Sequence, residues 1–301
     1  SGNHRLESSK MKKLLNRMKG ESFTGHVMSL PYVLYFSVFI AFPIGFSFLL
    51  MFHKWNIITP MEWVGLRNFA RLANDAQFFK AIWNTLTFLV IHIPLQIVVA
   101  LLLAIALNQK IRFRGFFRSL YFMPVIVSGV VITILWRQLY GFETGLLNML
   151  LLKIGLDKIP WINDPNWAMP SIAIMATWKN VGLYVILFLV GLQNIPRFLY
   201  EAADIDGAGP LQQFFYITIP SLNNTVVLVM TLSTIGGFSL FIEPFVMTGG
   251  GPMNSTLSAM LYIYNQAFYF GHMGYSATLG IFFAGIVLMV ILIQKKFVEQ
   301  D

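Results

Sequence analysis

The chain has 301 residues, 56% of them hydrophobic and only 11% charged, against roughly 25% charged in a soluble domain. That deficit excludes an ordinary water-soluble globule and points to a membrane protein. The net charge of +8 calls for no nucleic-acid partner, because basic flanks of membrane helices give the same excess. The absence of cysteine removes disulfide scaffolds, thiolate metal sites and thiol catalysis.

Residues 1–29 are basic and suit a cytoplasmic extension lying on the membrane surface. The next segment, 30–52, is too long for a signal-peptide core and is followed by no small-residue cleavage site, so it is expected to remain as a span. About 20 mostly apolar residues cross a bilayer. Five further segments meet that length: 82–107, 116–136, 169–192, 222–247 and 276–293. None alternates as barrel strands do, so the predicted fold is all-α and polytopic. It has six transmembrane helices in one membrane domain (30–296) and a short tail (297–301). "LLNMLLLKIGL" at 146–156 is too short to span and is expected on the outer surface. Lysines and arginines of the N-terminal tail, the 110–118 loop, Arg197, Lys295 and Lys296 fall on one side. They outnumber Lys54, Arg67, Arg71, Lys80, Arg137, Lys153 and Lys158 on the other. Both termini are therefore expected in the cytoplasm.

Between the fourth and fifth spans lies a polar elbow, "EAADIDGAGPLQQFFYITIP". Pro196 can open a short helix, Gly207 can stop it in a left-handed turn, and Pro210 can start a second helix with Gly209 as cap. The second helix is expected to end before Pro220. Neither piece is long enough to be stable alone. Phe198, Ala202 and Ile205 share a face that needs covering, either by a partner or by the membrane domain itself.

Glu201, Ala202 and Ala203, then Gly207, Ile217, Ile219 and Pro220 at their spacing, resemble the signature loop of MetI-like, binding-protein-dependent ABC importer permeases. The family usually has leucine at the position of Ile219. "RGFFRSLYFMPVIVSGVVITILW", "GLLNMLLLKIGL" and "FVMTGGGP" are similar, in order, to the carbohydrate-uptake branch, particularly the larger maltose-importer permease. The resemblance implies partners: a second permease subunit, two ATP-binding subunits that carry ATP and Mg, an extracytoplasmic solute-binding protein, and a carbohydrate substrate. It implies an inner-membrane location. It also implies that Glu201, Ala202, Ala203, Asp206, Gly207 and Pro210 couple the membrane helices to the ATPase. No phosphate-binding G-x-x-x-x-G-K-[ST] loop occurs in the chain, so ATP hydrolysis falls to another polypeptide and this one is not an enzyme.

Ionisable groups inside spans are functional candidates; here they are His92, Lys179 and Glu243. His92 is expected to bond a backbone carbonyl near Pro94, and Lys179 could reach outward to the interface. Trp178, Asn180 and Tyr184 offer a stacking face and hydrogen bonds to a sugar. Ser233, Thr234, Gly236 and Gly237 put hydroxyls beside a stretch without bulk, though such residues also simply pack helices. With Lys179 and Glu243 they form the expected substrate path. Lys179 and the basic outer residues would suit an acidic oligosaccharide such as alginate, beside a neutral glycan or glycerol phosphate. Gly249, Gly250, Gly251 and Pro252, with Trp161 and Trp167, are expected to receive the binding protein. A gradient-driven carrier using Glu243 and His92, or a membrane-embedded enzyme, is the alternative. The five histidines show no metal-ligand spacing.

Overall fold

A computed structural model describes residues 24–109 and 112–298. Most of the expected basic extension (1–23) and the last three residues lie outside that range. In chain order the elements are α1 (Thr24–Leu50), β1 (His53–Lys54), β2 (Glu62–Trp63), α2 (Arg67–Ala73), α3 (Ala76–Asn108), α4 (Arg114–Ile126), α5 (Gly129–Leu139) and α6 (Leu146–Lys153). They continue with α7 (Pro165–Gln193), α8 (Arg197–Ile205), α9 (Pro210–Ser221), α10 (Asn223–Phe238), α11 (Ile242–Met247), α12 (Ala259–Tyr264) and α13 (Met273–Val298). The two strands pair antiparallel, His53 opposite Trp63, as a small hairpin on an otherwise helical chain.

Helices α1, α3, α7 and α13 are each long and apolar enough to cross a membrane. The pairs α4–α5 and α9–α10 qualify only together, bent by 100° and 63°. Counting each pair as one span gives six among the described residues, in the expected order, but the third is not the straight helix the sequence suggested. Pro124 removes an amide donor from the helix, and the chain turns extended at Val127 before Ser128 and Gly129 open α5. The fifth span also stops early. Gly236 and Gly237 lie in the last turn of α10, and Glu243 belongs instead to the separate helix α11.

The second elbow helix does not end before Pro220. A π turn at Phe214–Thr218 precedes the proline, and the helix continues to Ser221. The same device occurs in α1, where a π turn at Ser37–Ala41 precedes Pro43. Proline lacks the donor and its ring crowds the carbonyl one turn back; a π turn widens the helix there.

Helix α3 is central and packs along the length of α7, with α10 crossing both. Two glycines allow the close approaches. A β-carbon on Gly182 would lie 2.2 Å from the Tyr121 carbonyl oxygen, and one on Gly237 would lie 2.3 Å from Leu89 Cδ2. Small residues at such crossings let helices associate in lipid, where burial supplies little driving force.

Candidate functional site

The buried stripe of α3 (Phe88, His92, Gln96, Ala100, Ala104) faces the core at one-turn spacing. Where α7 and α10 meet its upper part they line a partly open cavity of about 250 Å³. Its walls include Phe88 and His92 from α3, Lys179, Asn180 and Tyr184 from α7, Ser233, Gly236 and Gly237 from α10, and Glu243 from α11. The structure thus brings Lys179, Asn180, Tyr184, Ser233, Gly237 and Glu243 around one space. Two residues of the expected path lie elsewhere. Trp178 packs on Trp136 at 5.4 Å between ring centres and lines a separate apolar cleft with Tyr121 and Pro124. Thr234 turns toward α13, donating to Gln294 Oε1 at 2.8 Å. Phe88 and Ser239, not singled out in the sequence, line the cavity; Phe88 sits one turn from His92 and was readable from that spacing.

The ionisable groups have specific partners. Lys179 does not reach outward: its Nζ lies 3.0 Å from Glu243 Oε1, with both side chains largely buried. The α4–α5 bend makes room for this pair, because a β-carbon on Gly129 would come within 2.9 Å of the Lys179 amine. His92 does not bond near Pro94. Its Nδ1 lies 2.9 Å from the Thr177 hydroxyl on α7, and its ring stacks on Phe88 at 4.9 Å. The cavity is therefore polar, with its one buried ion pair closed upon itself.

At one end of the bundle the elbow is a clamped unit. Gly207 takes φ +80°, and the Ala208 and Gly207 amides return to the Ala203 and Asp204 carbonyls at 2.9 and 3.1 Å. That is the paired closure glycine permits at a helix end. Pro210 opens α9, and the Gly209 amide donates to Gln212 Oε1 at 2.9 Å. The two helices are pinned by Tyr200 OH to Thr218 Oγ1 at 2.9 Å and by Gln213 Nε2 to Asp204 Oδ1 at 2.5 Å. Glu201, Ala202 and Asp206 are exposed, as are Phe198, Ile205, Leu211, Phe215 and Tyr216. Ala203, Asp206 and Gly207 edge a shallow cleft with Gln212 and Tyr216. The Phe198, Ala202 and Ile205 face is left open, while Leu199, Tyr200, Phe214 and Ile217 pack against the core between α3 and α7.

On the side opposite the elbow, Gly249 and Gly250 adopt positive φ, and Pro252 closes the turn. The loop is stapled to α3: Lys80 Nζ donates to the Met253 carbonyl at 3.0 Å, and Asn84 Nδ2 to the Asn254 carbonyl at 2.7 Å. Met253 stands exposed at its tip. Trp161 is an internal strut. Its Nε1 donates to Asn148 Oδ1 at 2.9 Å, and its ring stacks on Tyr140. Trp167 is more open and meets Trp161 edge-on.

The family described as "binding-protein-dependent transport system inner membrane component" matches residues 96–299. The chain is 40% identical over 276 residues to the arabinooligosaccharides transport system permease protein AraP of Bacillus subtilis, covering 90% of this chain and 87% of that protein. It is 39% identical over 272 residues to the lactose transport system permease protein LacF of Rhizobium radiobacter, covering 88% and 90%. Its fold is similar, at a TM-score of 0.78 and 24% identity, to a chain in the crystal structure of a bacterial ABC transporter involved in the import of the acidic polysaccharide alginate; 94% of this chain and 98% of that one are covered. The matched region runs from the middle of α3 through the cavity, the clamped elbow and α13, and the chain belongs to the binding-protein-dependent transport system inner membrane component family.

Proposed function

We propose that this chain is the inner-membrane permease subunit of an ATP-driven importer that takes an oligosaccharide from an extracytoplasmic binding protein. A second permease completes the path, and two ATP-binding subunits drive it. The observation that carries this reading is the elbow: a doubly pinned helix pair seated on the bundle by Leu199, Phe214 and Ile217, with Phe198, Ile205, Leu211 and Tyr216 left open on its outer side. A rigid lever passes on movement only if something grips it. The residues at its tip, Glu201 to Ala203, Asp206, Gly207 and Pro210, are the ones a motor subunit would hold. The elbow and both termini lie in the cytoplasm, and the Gly249–Pro252 turn and Trp167 face the binding protein.

The cavity of about 250 Å³ lies under the range of ~300–1,000 Å³ in which a drug-sized ligand is enclosed. An oligosaccharide needs a wider state of this path or a wall from the second permease. Because Glu243 neutralises Lys179, the cavity offers no free cation for a sugar acid, and a neutral oligosaccharide suits it better than alginate. The same pairing argues against a proton relay through Glu243 and His92, both of which already have partners.

The test is reconstitution of the four-subunit complex in liposomes with ATP inside and binding protein outside. Uptake of labelled arabinotriose or lactose that requires both ATP and binding protein is the expected result. Uptake by this chain alone under a proton gradient would replace the importer reading with the carrier one.

A further inference from the structure

One turn from His92 toward the elbow, on the same buried stripe of α3, sits Gln96. It has no exposed surface, and neither its carboxamide nitrogen nor its oxygen makes a hydrogen bond. This is a costly place for a free amide. The residue lies in the middle of a helix of 33 residues, and an unpaired polar group away from water forfeits its solvation with nothing in return. Its neighbours in the stripe show that the fold has no general need for polarity there, since Ala100 and Ala104 continue the same line. Nor can Gln96 await a partner subunit, because its own helices cover it completely.

A second polar group lies nearby. Ser233, on α10, is buried, lines the cavity and faces the Tyr184 hydroxyl of α7. The register brings the two close in level. His92 meets Thr177 on the parallel helix α7, and counting one turn on from each reaches Gln96 and Val181. Helix α10 runs the other way, and Gly237 abuts Leu89. Counting one turn back from Gly237 gives Ser233, near the level between His92 and Gln96. On the elbow side of His92, Gln96 therefore sits idle at nearly the level of Ser233, which lines the cavity.

We propose that Gln96 is the next sugar-contacting station on the translocation path. It is sealed in this conformation and exposed when α3, α7 and α10 part toward the elbow, its amide then bonding sugar hydroxyls together with Ser233. A carboxamide both donates and accepts, which matches the paired hydrogen bonds of a neutral sugar diol. The station rests on the importer reading, but it predicts something a packing residue would not do: its loss should help the folded state and harm transport.

Gln96→Leu keeps the volume and removes the amide. In the purified four-subunit complex it is expected to raise the melting temperature. In liposomes it is expected to raise KM for labelled arabinotriose or lactose about tenfold, as loss of roughly one such hydrogen bond predicts, with ATP hydrolysis by the complex retained. Gln96→Asn, which keeps the chemistry on a shorter arm, should recover part of the loss. A lower melting temperature for the leucine variant, or an unchanged KM, overturns the proposal. If the wild-type complex takes up neither sugar, the choice of these two sugars fails on its own account. The melting comparison then still decides whether the amide is held against the interest of packing.

Discussion

At the scale of single residues, the most consequential contact is the Lys179–Glu243 pair across the cavity. Two charges in a desolvated place stay there only together: removing one leaves the other uncompensated, at a cost of about 3–5 kcal/mol. Lys179→Met or Glu243→Gln alone should therefore lower the melting temperature of the complex sharply. The double variant should recover most of the loss, a pattern that a thermal-shift double-mutant cycle reads directly. If both singles are harmless, the pair is a solvated contact and the charge balance inferred for the cavity is wrong. The sequence marked both residues as expensive, because charges are scarce inside spans, but it could not show that they were partners. Glu243 lies 64 positions from Lys179 on a helix of its own, and only the stop in α10 brings it over the cavity. Trp178 erred in the opposite direction. Its chemistry suited a sugar, but it projects from another face of α7 than Asn180 and Tyr184, into the cleft beside Trp136. Residue type was readable; which face of a nearly all-apolar helix was used was not, because such a helix carries little amphipathic signal.

At the scale of elements, the elbow was the most readable part of the chain and the two bends the least. Helix ends are set by local chemistry, and Pro196, Gly207, Gly209 and Pro210 act where the sequence put them. The π turns before Pro43 and Pro220 and the 100° bend after Pro124 answer to proline as well. A proline shows that the helix must adjust, however, and not whether it will bulge and go on or break. Gly207, at φ +80°, gives the elbow its sharpest test. A β-branched side chain there is strained by at least ~1–2 kcal/mol, although no neighbouring atom would obstruct its β-carbon. Gly207→Val should consequently leave the membrane helices folded while loosening the turn. ATP hydrolysis should persist, and sugar uptake per ATP should fall severalfold. Normal uptake by that variant would remove the turn from the coupling route. Crosslinking between position 206 and the ATP-binding subunit gives an independent reading of the same contact.

At the scale of the whole molecule, three elements far apart in sequence are tied at the end of the bundle opposite the elbow by one carboxylate. Asp75 caps α3 by accepting from the Phe78 amide at 3.0 Å. It also accepts from Tyr262 of α12 at 2.7 Å and from Tyr275 of α13, while Arg71 stacks over the Tyr275 ring and bonds Gln266. Burial alone would push the Asp75 carboxyl up. Against it, hydrogen bonds from Tyr275, Tyr262 and the Phe78 amide, with the nearby Arg71 charge, hold it below the usual carboxylate range. A group whose proton affinity is lower folded than unfolded favours the folded state at every pH above its unfolded pKa, ~3.9 for aspartate. That contribution fades as pH falls from there through the lowered folded value. Unfolding of the purified complex should thus show no Asp75-dependent change between neutral pH and about 5, and a loss of stability below about 4. Asp75→Asn should be less stable at neutral pH, because a carboxamide oxygen can accept from the cap amide but no longer carries the charge both tyrosines donate to. Its acid limb should be shallower than that of the wild type. An acid limb of the same slope in both proteins would place the titrating group elsewhere and reduce this knot to an ordinary helix cap. If the limb does flatten, Asp75 holds α3, α12 and α13 together at the end of the bundle opposite the elbow.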